Sequence, residues 1–251
     1  AIGTYFSGDR NIISGNGGRA IWLASGAGHI VRGNYIGVAA DGITPLPNYT
    51  GIEVNQESTI IGGINPGEGT IIANSTDEGI FVVPANTQVY TNARVLGNTM
   101  YNNGISKSSI NIVDASPIAF SPNDDGDLDT SANRGQNHPE IKCVRLDGTQ
   151  TNYIVRYVLD TEPNKDYIIE FVTDSSGNEQ GQGRFFVQRK FINSGATGFV
   201  LDSVSVPLNT FNGGRKISAS ATDTLFYATS EFGRGITPLN SVIVAIVTYV
   251  V

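Results

Sequence analysis

Short apolar stretches of this chain recur at a spacing of 59 residues. Ile2-Gly3 returns as Ile61-Gly62, Ile12-Ile13 as Ile71-Ile72, and Ile21 with Leu23 as Ile80 with Val82. Val31-Arg32-Gly33-Asn34 returns as Val95-Leu96-Gly97-Asn98 at a spacing of 64, which implies a five-residue insertion in the second copy. The runs inside each copy are short: Asn11–Asn16, Ala20–Ala24, His29–Gly37, Gly51–Asn55 and Ser58–Gly63. Within them side chains alternate inward and outward, as in Ile52, Glu53 and Val54. Strands of this kind, parted by Gly/Asn turns and repeated at fixed spacing, predict a solenoid of stacked coils. At roughly 20–25 residues per coil, one unit would hold two to three coils.

In such a stack each strand pairs with its equivalent one coil along, about 4.8 Å away, and Ile and Val fill the interior as ladders. Asn16, Asn34 and Asn98 fall at corners, where Asn tolerates left-handed backbone and bonds a neighbouring coil. Ligand binding is the other use of such residues. Their place in the repeat frame favours the structural one.

Composition narrows the function. The 251 residues carry 16 Lys/Arg against 23 Asp/Glu, a net charge of −7, which argues against nucleic acid or an anionic membrane as partner. Cys143 is the only cysteine, so an internal disulfide or a cysteine-built metal centre is excluded. There is no initiator Met and no basic-then-apolar leader, the pattern of a mature chain or a fragment. Up to Asn137 there are 12 acidic and 6 basic residues; beyond it the counts are 11 and 10, and most of the Phe and Tyr follow. The polar stretch Ser121–Pro139, with a proline near each end, reads as the seam between two domains. The predicted organisation is a solenoid over 1–137, a second domain over 138–235 and an apolar strand over 236–251.

A family resemblance rests on several motifs in order. NIISGN (Asn11–Asn16), VRGNYIGVAADG (Val31–Gly42), GIEV (Gly51–Val54) and STIIGG (Ser58–Gly63) resemble bacterial right-handed parallel β-helix repeat proteins. The run Ser121–Ile141 resembles the segment that closes the helix in those proteins. Pro163–Phe171, Gly181–Val187, Ile217–Asp223 and Thr229–Phe232 resemble the β-sandwich domain that follows it. The resemblance covers about Ala1–Gly233 and implies an all-β chain located outside the cytoplasm. It implies little about activity, because this fold hosts lyases, hydrolases, spikes, adhesins and passive stalks.

The second domain also reads as a sandwich from its own residues. Tyr153, Val155, Tyr157 and Leu159 alternate with Ile154, Arg156 and Val158, and Tyr167, Ile169 and Phe171 with Ile168 and Glu170. With Phe185–Phe191, Phe199–Val206, Lys216–Ala221 and Phe226–Phe232, about seven strands suggest an immunoglobulin-like sandwich. The period-two aromatics read as core rather than a sugar platform, and Cys143 as a small buried hydrophobe.

Chemistry is sparse. No nucleophile elbow, zinc-protease helix, phosphate loop or dinucleotide fingerprint occurs, and Gly15–Ala20 lacks the helix that phosphate binding needs. His29 and His138 stand more than 100 residues apart without the ligands of a zinc site. Polysaccharide cleavage would need carboxylates gathered on one outer face, for which Glu53 and Asp77-Glu78 are the candidates. The alternative for them is a solvated rim. Arg19, Arg32 and Arg94 could meet uronates, but so few cations make a poor anionic groove.

The sharpest local signal is the loop Asn123–Asp129. Asp124, Asp125, Asp127 and Asp129 can converge oxygens on one Ca²⁺, with Gly126 allowing a sharp turn. The loop lacks the distant Glu of a full EF-hand, so it reads either as a structural Ca²⁺ site or as a solvated linker turn. The tail Ser241–Val251 carries no charge, and eleven residues are too few to span a membrane, which takes about 20. Its eight β-branched residues favour a strand. Val242, Ile243, Val244, Ile246, Val247, Tyr249 and Val250 would need burial on both faces, in the chain's own sandwich or against a neighbouring copy.

Three functions fit these residues. The leading one is a non-catalytic extracellular or cell-surface structural or adhesive protein that self-associates and contacts carbohydrate or a host or cell surface. A β-helix polysaccharide lyase or hydrolase and a phage-type receptor-binding spike are the alternatives.

Overall fold

The computed structural model describes residues 1–84, 91–104, 109–112, 122–128, 132–175 and 181–238. The chain is all-β, with parallel sheets first and antiparallel sheets after them.

Eleven short strands build the first part: β1 (Ile12–Ile13), β2 (Arg19–Leu23), β3 (Ile30–Val31), β4 (Tyr35–Ile36), β5 (Thr50–Val54), β6 (Thr59–Gly62), β7 (Ile71–Ala73), β8 (Ile80–Val82), β9 (Ala93–Leu96), β10 (Thr99–Tyr101) and β11 (Ile110–Ile112). Each pairs in parallel with the strand three places further on, giving sheets β1-β4-β7-β10, β2-β5-β8-β11 and β3-β6-β9. The path visits the three sheets in rotation, an arrangement compatible with a parallel β-helix. Ile21, Ile52, Ile80 and Ile110 stack in register, as do Val31, Ile61 and Val95. All of them are buried in one apolar cluster. Full burial of each Ile or Val contributes about 1.5–3 kcal/mol, so the ladder is the main cohesive term.

The coils are longer than the predicted 20–25 residues. Successive steps along the isoleucine ladder of β2-β5-β8-β11 are 31, 28 and 30 residues, so the 59-residue unit is two coils. Polar excursions such as that between β4 and β5 add length that apolar spacing cannot reveal. The step from Ile13 to Ile36 is 23 residues and the next, to Ile72, is 36. A short step on this sheet is thus compensated by a long one, so the resemblance surfaces over two turns. The five-residue insertion falls between Val82 and Ala93.

The corner asparagines tie coils together, as expected, but not through left-handed backbone. That conformation falls on the glycine before two of them, Gly33 (φ +65°) and Gly97 (φ +66°). A Cβ at Gly33 would collide with the Thr4 carbonyl oxygen, and one at Gly97 with that of Gly63. Only glycine supplies both the φ and the space. The next residue then points inward. Asn34 donates to the Ile2 carbonyl (2.9 Å) and accepts from Asn11 Nδ2 (2.9 Å). Asn98 donates to the Ile61 carbonyl (2.9 Å) and accepts from the Thr70 N–H (3.0 Å). Asn16 donates to Asn48 Oδ1 (2.9 Å) at the exposed rim. Buried backbone groups at the corners are thereby satisfied without a strand partner.

The second part contains β12 (Glu140–Leu146), β13 (Asn152–Asp160), β14 (Asp166–Asp174), β15 (Phe185–Asn193), β16 (Phe199–Pro207) and β17 (Lys216–Asp223). They form two antiparallel sheets, β12-β13-β16 and β15-β14-β17. Val155, Tyr157 and Leu159 from one sheet and Tyr167, Ile169 and Phe171 from the other share a core. Tyr157 and Phe171 meet edge to face, with ring centroids 5.3 Å apart. Three expectations need correction. Phe186, Phe191 and Phe199 are exposed rather than core, because they take the outward positions of β15 and β16 while the adjacent Val187, Ile192 and Val200 pack against the core. Cys143 is half-buried, opposite Arg156, not fully buried.

The third correction concerns Phe226–Phe232, which is not a seventh strand. Tyr227 has φ +55°, and beyond it the chain follows β17 irregularly, with isolated bridges at Thr222–Thr229 and Ile217–Ile236 and single hydrogen bonds from the Ser230 and Gly233 N–H groups to Ala221 and Ala219. Several of its polar groups also reach the solenoid. The last coil leaves strand edges that need partners. Thr229 Oγ1 accepts from the Val95 N–H (2.9 Å), Glu231 Oε1 from the Ile112 N–H (2.8 Å), and the Gly183 carbonyl from the Met100 N–H (2.9 Å). Val172 and Phe232 join the solenoid's own core cluster. The antiparallel part therefore caps the open end of the parallel stack.

Candidate functional site

On the outer face of β2-β5-β8-β11, register aligns Trp22, Glu53, Phe81 and Asn111 in one column. Glu53 occupies an outward position, as its alternation requires, yet it is only 6% exposed. Its carboxylate is ion-paired with Arg19, whose guanidinium lies 5.0 Å from the centre of the Trp22 ring. The Trp22 Nε1–H in turn donates to Asn55 Oδ1 (2.6 Å). Glu78 is buried and accepts from Asn111 Nδ2 (3.1 Å). Of the carboxylates considered for glycan cleavage, Glu53 and Glu78 thus have internal donors rather than a solvated rim, and Asp77, next to Glu78 in sequence, is half-buried. Arg32 pairs with Glu68 (2.9 Å), and Arg94 packs over the Tyr227 ring (4.9 Å). Burial pushes the Glu68 carboxyl up, but the Asn65 donors and Arg32 outweigh it and hold it below its ordinary value.

The acidic loop makes the sharp turn its sequence suggests, with Gly126 at φ +72° and Asp127 at φ +58°. Its carboxylates point apart. Asp127 is buried, accepting from the Asn137 N–H (2.7 Å) and the Thr161 hydroxyl (3.0 Å). Asp124 Oδ2 accepts from the Leu128 N–H (3.0 Å), while its Oδ1 is buried with no hydrogen-bond partner among the described residues. Asp125 is exposed. Asp129 lies outside the described residues. Among the described residues no three His, Cys, Asp or Glu side chains gather closely enough to hold a metal ion.

What this loop does visibly is latch the start of the antiparallel part. Asn123 Nδ2 donates to the His138 carbonyl (2.8 Å) and its Oδ1 accepts the His138 N–H (2.9 Å). Asn137 mirrors this with Asp124, donating to its carbonyl (2.8 Å) and accepting its N–H (3.0 Å). Two reciprocal amide–backbone pairs thus hold Asn123–Asp124 against Asn137–His138. His138 is buried behind them, and burial lowers its pKa to about 4 against the opposing pull of Glu140.

The apolar tail residues Val242, Ile243, Val244, Ile246, Val247, Tyr249 and Val250 lie outside the described residues. The described chain leads toward them along the outer edge of β17, where Ile236 and Ile217 exchange both backbone hydrogen bonds at 2.9 Å. No helix among the described residues is long and apolar enough to cross a membrane.

Sequence reasoning missed one contact between the two parts. Glu170 was read only as an alternating position of a strand. It is 5% exposed, accepts the Gly97 N–H (3.0 Å) and pairs with Arg189. Nothing in the local pattern distinguishes it from a solvent-facing Glu. The signal is the coil it covers, which is distant in sequence. The chain matches no protein-family model and no curated protein.

Proposed function

We propose that this chain is a non-catalytic extracellular or cell-surface structural and adhesive protein. In this reading a right-handed parallel β-helix is closed by an immunoglobulin-like sandwich, and copies associate through the C-terminal strand. The observation that carries the structural role is the engagement of the outward carboxylates: Glu53 by Arg19 and Glu78 by Asn111. Groups tied up in this way brace a coil and offer no acid–base pair to a sugar.

The association rests on the tail's chemistry. Seven large apolar side chains in an uncharged segment contribute about 1.5–3 kcal/mol each when buried, which drives strand addition to a second copy. Deleting residues 240–251 is expected to leave the far-ultraviolet circular dichroism and melting temperature unchanged while abolishing oligomers in sedimentation. A full-length chain that stays monomeric at high concentration, or a truncation that assembles normally, would refute the linkage.

Calcium belongs to the same proposal, as a structural ion at the acidic loop. Asp124 Oδ1, which has no hydrogen-bond partner among the described residues, and the exposed Asp125 support this reading, and the sequence offers Asp127 and Asp129 as the further carboxylates. Millimolar Ca²⁺ added to chelated protein is expected to raise the melting temperature by several degrees, and Asp124→Asn to remove that rise. An unchanged melting temperature in the wild type discards the ion.

A further inference from the structure

One cluster of cations lies where the two parts meet. Tyr101 closes β10 on the last coil, Phe185 opens β15, and Arg215 immediately precedes β17. Pairing of Phe185 with Thr173 and of Lys216 with Asp174 brings the last two to either side of the end of β14. The Arg184 guanidinium lies 4.6 Å from the centre of the Tyr101 ring and 5.4 Å from that of Phe185. The Arg215 guanidinium lies 3.7 Å from the Phe185 ring centre. Two guanidiniums are thus held by two aromatic faces.

Stacking on a ring is common among the chain's cations, Arg10 on Tyr35 and Arg94 on Tyr227 included; among the described residues, what sets this pair apart is that two guanidiniums share one ring. Seven Lys and Arg side chains are paired with carboxylates among the described residues. Neither Arg184 nor Arg215 has a carboxylate partner among them, although the chain carries an acidic excess. Arg184 is exposed and Arg215 half-buried. Asp41 is the acid whose charge reaches Tyr101, but its oxygens accept from the Ile43 N–H (2.9 Å), the Thr44 N–H (2.8 Å) and the Thr44 hydroxyl (2.5 Å).

A guanidinium stacked on a ring has its face occupied and its in-plane N–H groups free. Those donors form the planar fork that matches a carboxylate. The rings also hold the side chains in place, so less freedom is lost on binding. We propose that Arg184 and Arg215, set by Tyr101 and Phe185, bind the carboxylate groups of an acidic polysaccharide. Two forks suit a polymer with one planar anion per sugar. The net charge of −7 opposes a densely phosphorylated polymer such as duplex DNA. The site needs both parts of the chain, because Tyr101 comes from the solenoid and the other residues from its cap. It specifies the ligand of the adhesive reading and rests on that reading, not on assembly through the tail.

The test uses the full-length chain and polygalacturonate at low ionic strength, with binding followed by calorimetry. Saturable binding is expected, weakened about tenfold by either Arg184→Gln or Arg215→Gln and further by the pair. Arg184→Lys, which keeps charge but loses the fork, should fall between wild type and Arg184→Gln. The double variant Arg145→Gln/Arg156→Gln removes the same charge elsewhere and should bind within twofold of wild type. No binding by the wild type, or an equal loss in that control, would overturn the site. Duplex DNA bound as tightly, with the same arginine dependence, would overturn the choice of ligand. Sedimentation of the same samples reads assembly separately, so failure here leaves the self-association reading standing, and the converse.

Discussion

Arg189→Ala is expected to cost about 3–5 kcal/mol of stability, the range for leaving a buried charge without its partner. Glu170 is buried at the seam, and its carboxylate receives the Gly97 N–H from the last coil and the Arg189 guanidinium from the neighbouring strand. Burial pushes its pKa up, while Gly97 and Arg189 pull it down without cancelling the rise. Without Arg189 a single backbone donor would face a desolvated carboxylate. Replacing both members, as Glu170→Leu/Arg189→Met, should restore much of the loss, because an apolar pair of similar volume removes both desolvation costs. Recovery should stop short of wild type by about 1–3 kcal/mol, the cost of the orphaned Gly97 N–H. Urea unfolding at pH 7 measures all three proteins. The only tryptophan, Trp22, reports the first coils, and circular dichroism reports both parts. Coincident transitions are expected, since the cap and the stack share the seam. A loss below about 1 kcal/mol in Arg189→Ala would mean that the pair does not hold the two parts together.

The second large effect is a fall in stability as pH drops from 6.5 toward 4. His138 has its folded pKa pushed down to about 4 by burial, whereas an unfolded chain takes up that proton near 6.5. Between these values the unfolded state binds more protons, so acidification favours unfolding. The contribution is fully present above pH 6.5, and about 2.5 kcal/mol of it is gone by pH 4.5. Other groups act near the lower limit. Glu140 and Glu162, held below their ordinary range chiefly by Lys142 and Arg134, lose their contributions only on further acidification. Glu170, raised by burial, works in the opposite direction above its ordinary value. Comparison with His138→Gln removes this shared background. The wild-type curve should therefore fall by about 2.5 kcal/mol more than the variant's between pH 7 and 4.5. Parallel curves would show that His138 is not desolvated in the folded chain.

The architecture was legible because solenoid physics writes itself into local pattern. Ile21, Ile52 and Ile80 must face inward in every coil, so their alternation survives in the sequence, as do the Gly33-Asn34 and Gly97-Asn98 corners. The coil length was not legible. The apolar frame marks where strands stack but not how far polar excursions reach between them, and compensating excursions made two coils look like one unit. In the antiparallel part, β13 and β14 were readable from alternation. Phe226–Phe232 was not, because Thr229 and Glu231 are placed by what they cap rather than by neighbours along the chain.

By itself, the sequence determined what periodicity and composition can determine: an all-β chain, stacked parallel strands, then an antiparallel part with an aromatic core. It also presented an acidic loop and an uncharged β-branched tail. Which charges find a carboxylate partner among the described residues is set by the fold. Glu53 has the local pattern of a solvated outward residue and is buried against Arg19, whereas Arg184 and Arg215 have no motif and are brought to one aromatic stack. The physical reason is that pairing depends on distance in space. Arg19 and Glu53 are 34 residues apart, and Tyr101 and Arg215 more than 100, so only the fold can bring them together.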